Sequence, residues 1–127
     1  MKRYSRLPKE IQHELLSGFC EALCSIKTTD EAVKFLTDLL TASEALMLAK
    51  RIRIAQLLID EKSYNLIEKA LNVSQGTIAK VAAWLAEAGE GFRLIAKRIP
   101  KRGREKIKTE ENTYNEWHSL KRRYPVM

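Results

Sequence analysis

The side chains with the clearest chemistry lie between Ser63 and Leu85. Two short apolar patterns meet there across Leu71-Asn72-Val73-Ser74. Ile67 and Leu71 fall on the inner side of the first, and Val73, Ile78 and Val81 on the inner side of the second. That leaves Gln75, Gly76, Ala79, Lys80 and Ala83 facing outward. Glutamine can pair bidentately with adenine, lysine donates to guanine, and alanine touches a thymine methyl. Gly76 and Ala79 are small enough to let a helix approach a groove floor. Ser74 can cap the second helix, whose positive end and unpaired N–H groups suit a phosphate.

Such a reader needs two helices crossing steeply over a tight corner. The corner requires positive φ, and Asn72 is one of the few non-glycine residues that tolerate it. The same pattern also describes a plain corner within a helical core, so it carries weight only together with other signals. One such signal is Lys50-Arg51-Ile52-Arg53, placed on the preceding helix between Leu48, Ile52 and Ala55. Arg51 and Arg53 there read as phosphate or effector contacts, or as an ordinary solvated face.

Catalysis finds little to work with. His13 and His118 stand apart from any Ser/His/Asp or Cys/His arrangement. There is no glycine-rich phosphate loop and no metal-ligand cluster, so no enzyme activity, metal or cofactor is expected. Cys20 and Cys24 share a helical face without a second ligand pair, and read as small apolar packing residues with reduced thiols.

The elements that position these residues are all helical. Pro8 suits a first turn, and an apolar stripe from Ile11 to Ile26 predicts a helix over about residues 8–25. Thr28 and Glu31 form a capping box ahead of a second helix at about 30–40. Thr41 and Glu44 form another, opening a longer helix whose apolar residues are Leu46, Leu48, Ile52, Ala55, Leu57, Leu58 and Ile59. Ser63 and Ser74 cap helices over about 63–70 and 75–87, with Gly89 and Gly91 as breakers. A sixth helix runs from about Phe92 to Ile99, before Pro100. A last helix over about 110–124 is a weaker pattern. The expected organisation is a helical domain, residues 1–99, with its helix-turn-helix at about 63–87, and a basic tail, residues 100–127.

Charge divides the 127 residues the same way. Residues 1–92 hold 12 Lys/Arg and 12 Asp/Glu, whereas residues 93–127 hold 11 and 4, so the whole net charge of +7 falls in the last 35. A basic block beside a neutral body points to a polyanion. No apolar run approaches the roughly 20 residues of a membrane span. No apolar segment follows the charged N-terminus to make a signal peptide. The expectation is a cytoplasmic protein with no membrane partner.

Taken in order, Leu40-Thr41, Arg51-Ile52-Arg53-Ile54, Leu57-Leu58, Ser63, Ile67, Leu71 and Thr77-Ile78-Ala79-Lys80 resemble the tryptophan repressor superfamily. Lys62-Ser63-Tyr64, Ser74-Gln75-Gly76-Thr77-Ile78, Trp84-Leu85 and Gly89 to Leu94 look most like its YerC/YecD branch, and the resemblance spans about residues 9–99. It implies an all-α, six-helix, intertwined homodimer offering one helix-turn-helix to each half-site of a palindrome in double-stranded DNA. The DNA contacts it implies, with those read above, are Ser63, Ser74, Gln75, Gly76, Thr77, Ala79, Lys80, Ala83, Arg51 and Arg53. It places a possible effector pocket at Thr41, Arg51, Thr77, Lys80 and Trp84. Lys80 stands where a second stacking arginine would be, Trp84 replaces a serine and Val81 a glycine, so tryptophan corepression is not expected. The function expected is a transcriptional regulator of the repressor type. The rival is an RNA- or anionic-surface-binding protein that uses the tail, with the helical body as a dimerisation module.

Overall fold

The computed structural model describes residues 7–99 together with Ser119 and Leu120. Six helices follow one another: α1 (Lys9–Cys24), α2 (Thr29–Leu39), α3 (Ala42–Ile59), α4 (Tyr64–Leu71), α5 (Gln75–Ala88) and α6 (Glu90–Arg98). No strand occurs among the described residues. Ser119 and Leu120 are helical; the rest of the expected 110–124 helix, and the basic tail, lie outside the described residues.

The helix starts follow local chemistry. Thr41 Oγ1 accepts from Glu44 N at 3.1 Å while Glu44 Oε1 accepts from Thr41 N at 2.9 Å, a complete capping box. The Thr41 backbone bond, then the Thr41 side chain, hold the Glu44 carboxyl below the ordinary glutamate range. Thr28 makes half of the expected box. Its Oγ1 accepts from Glu31 N, but the Glu31 carboxylate accepts from Lys27 N instead of Thr28 N. Pro8 is the N-cap, not the first helical residue, because its ψ of 148° is extended. Gly89 alone forms the α5–α6 joint, and Gly91 lies inside α6, which starts two residues earlier than Phe92. A Cβ on Gly89 would come within 2.8 Å of the Leu85 backbone, so the close approach there requires glycine.

The core gathers around α3. Ile54 of α3, Ile67 of α4, and Ile78 and Val81 of α5 are fully buried, with Ala55, Leu57, Leu71 and Leu85 beside them. Each large side chain so buried contributes about 1.5–3 kcal/mol. The expected α3 stripe needs correction: Leu46, Leu48, Ile52 and Ile59 are exposed, while Ile54 and Gln56 join Ala55 and Leu57 inside. The reason is that α4, α5 and α6 all pack on α3, so its C-terminal half is enclosed around most of its circumference.

The first two helices stand apart from this core. No side chain of α1 is buried, and only Thr37 of α2 is. Cys20 and Cys24 are exposed, not packed, because nothing among the described residues covers α1. Ile11, Leu15, Leu16, Phe19 and Leu23 form an exposed apolar stripe along it, with Leu15 at 61 % and Leu16 at 65 % exposure.

Candidate nucleic-acid interface

α4 and α5 form the helix-turn-helix. Asn72 ends α4 with φ 51° and ψ 54°, the left-handed corner anticipated for it. Ser63 Oγ accepts from Leu66 N at 3.2 Å and caps α4. Ser74 Oγ accepts from Thr77 N at 3.1 Å, caps α5, and lies 3.0 Å from Thr77 Oγ1. With Ile78, Val81 and Leu85 turned into the core, Gln75, Gly76, Thr77, Ala79, Lys80 and Ala83 are all exposed. They occupy the first two and a half turns of α5, the end a recognition helix offers to base edges.

Two features of this face are not legible in the spacing. The Gln75 amide is already engaged, since its Nε2 donates to Asn65 Oδ1 at 3.0 Å and to Glu68 Oε1 at 3.3 Å. A free amide, as bidentate adenine pairing assumes, is therefore not what α5 presents. Gly76, in contrast, is unconstrained by the fold: a Cβ there would meet only Ser74 Oγ, at an ordinary 3.8 Å.

Behind the helix-turn-helix lies a cavity of about 500 Å³ lined by Lys50, Arg51, Ile54, Thr77, Lys80 and Trp84, with Met47, Asn72, Val73 and Val81. Four of the five expected pocket residues meet here. Thr41 is not among the lining residues, and its hydroxyl is used as the α3 cap. Lys50 and Arg51 are half-buried against α5, not spread on a solvated face, and Arg53 is half-buried as well. The Arg51 guanidinium stacks over the Trp84 ring, 5.1 Å from its centroid. Trp84 is 42 % exposed and forms part of the cavity wall.

The family described as Trp repressor protein matches residues 14–100, a span that includes the Asn72 corner, the Ser74-capped α5 and the cavity. The chain belongs to the Trp repressor family. It is 27 % identical over 84 residues to the uncharacterized protein YerC of Bacillus subtilis (strain 168), covering 66 % of this chain and 81 % of that protein. That similarity places it with the YerC-like branch. No solved structure matches the chain. Members of this family are helix-turn-helix DNA-binding regulators, and the α4–α5 unit is that motif. Among the described residues no helix is long and apolar enough to cross a membrane.

Proposed function

We propose that the chain is a sequence-specific transcriptional repressor that binds double-stranded DNA as a homodimer, reads the major groove with α5, and does not require tryptophan. The observation that carries the reading is the composition of the exposed α5 face. Gln75 and Lys80 supply polar contacts, Ala79 and Ala83 apolar ones, and Ser63, Ser74 and Thr77 sit at the helix N-termini that favour phosphate. Gly76 adds to this. Glycine inside a helix costs about 1 kcal/mol relative to alanine, and the fold leaves room for a Cβ there. Close approach of a DNA backbone or groove edge accounts for its place.

The dimer is supported by the uncovered apolar stripe of α1, together with the exposed Leu94 and Ile95 on α6. A second copy is the partner the family architecture offers, and it gives the twofold relation a palindrome requires. The name of the matched family supports repression as the direction of control. Independence from tryptophan is supported by the Arg51–Trp84 stack, because the guanidinium already lies over an indole supplied by the chain itself.

Selection of bound sequences from random double-stranded DNA by the full chain tests the reading. The expected result is one enriched inverted repeat with half-sites about one helical turn, roughly 34 Å, apart. Binding that enriches no sequence and persists equally on RNA or anionic vesicles overturns it in favour of a basic-tail binder.

A further inference from the structure

Gln75 is the first residue of α5, on the exposed side, where a recognition helix meets base edges. Its nitrogen is not free. Nε2 donates one hydrogen bond to Asn65 Oδ1, at 3.0 Å, and one to Glu68 Oε1, at 3.3 Å. Both acceptors belong to α4, so the contact crosses the helix-turn-helix. The orientation of the amide is forced. An ionised carboxylate only accepts, so the amide nitrogen and not the oxygen must face Glu68. The two amide protons are matched by two acceptors, which leaves Oε1 as the polar atom of this exposed side chain available to accept.

We propose that Asn65 and Glu68 are positioning residues that make Gln75 an acceptor-only reader, selecting a base with an exocyclic amine. The inference rests on α5 being the base-reading helix. In the major groove adenine N6 and cytosine N4 are donors, whereas guanine O6 and thymine O4 are acceptors. An outward Oε1 accepts from adenine or cytosine and leaves an unpaired acceptor opposite guanine or thymine. An unrestrained glutamine behaves differently, because its amide spans adenine N6 and N7 together and so separates adenine from cytosine. To do that here Nε2 would have to leave a carboxylate, and a hydrogen bond to an ionised group is stronger than a neutral one. Glu68 thus sets which bases are accepted without itself touching one.

The test is selection from random DNA with the full chain, scored at the half-site position whose preference Gln75→Ala abolishes. The wild type is expected to accept adenine and cytosine there within about threefold of each other and to reject guanine and thymine. Asn65→Ala/Glu68→Ala leaves both α4 positions with a better helix former, and frees the amide. Its adenine-to-cytosine ratio is expected to rise about tenfold, the scale of one good bidentate contact. Removing the Glu68 charge also tightens binding to all sequences alike, which is why the ratio and not the affinity is read. A wild type that prefers guanine or thymine at that position, or a double variant whose ratio stays within twofold of wild type, overturns the inference. So does a selected site with no position sensitive to Gln75→Ala, which leaves the DNA-binding reading standing. A wild type that enriches no sequence removes both.

Discussion

The Arg51 guanidinium lies over the Trp84 indole, 5.1 Å from the ring centroid, and ties the middle of α3 to the second half of α5. A cation over an indole is worth about 0.5–1 kcal/mol at a partly exposed site. That is small against the buried isoleucines. It acts, however, on α5, the helix proposed to read the groove.

Trp84→Ser is accordingly expected to leave a folded protein, with a stability loss of about 1–2 kcal/mol because Trp84 is only partly covered. DNA affinity is expected to fall further than that loss accounts for, as α5 gains freedom. Denaturant unfolding and DNA titration on the same preparation separate the two effects. Free tryptophan is expected to change wild-type affinity by well under tenfold. A larger rise would mean that the cavity takes a corepressor despite the stack.

Lys80 projects from the exposed face of α5 and also borders the cavity. If its ammonium meets a base edge, Lys80→Ala loses about 1–3 kcal/mol of discrimination at one position. If it meets phosphate, affinity drops alike on every sequence and the salt slope flattens by about one unit. Titrations at several salt concentrations, on cognate and scrambled DNA, tell these apart. No change in either quantity places Lys80 outside the interface.

The stripe on α1 predicts a stable dimer. Sedimentation at micromolar concentration is expected to give twice the chain mass of 14.6 kDa. Leu15→Asp/Leu16→Asp sets two charges on the most exposed part of the stripe and is expected to shift the protein to monomer. A wild type that sediments as a single chain rules the dimer out.

Asn72 holds positive φ at the α4–α5 corner. Asn72→Gly is expected to be neutral or slightly stabilising, since glycine carries no left-handed penalty. Asn72→Val is expected to cost about 1–2 kcal/mol or more in denaturant unfolding, because a β-branched Cβ crowds the carbonyl there. Equal stabilities for the two variants would contradict the left-handed corner.

The parts of this protein legible in its sequence are those whose causes are local. Thr41, Ser63 and Ser74 cap helices because each hydroxyl meets an N–H three residues on. Asn72 turns the corner because its own backbone allows it. An exposed α5 face follows from the spacing of Ile78, Val81 and Leu85. Tertiary structure decided what depends on partners far along the chain. Ile54 and not Ile52 entered the core because three helices close around α3. Arg51 left the solvated face for an indole 33 positions away in sequence. Gln75 gave its amide protons to Asn65 and Glu68, ten and seven positions back across a turn. A helical period predicts which residues share a face, since that is set by backbone geometry within a few residues. It cannot predict which polar group on the neighbouring helix will meet them, since that is set by the angle at which two helices cross.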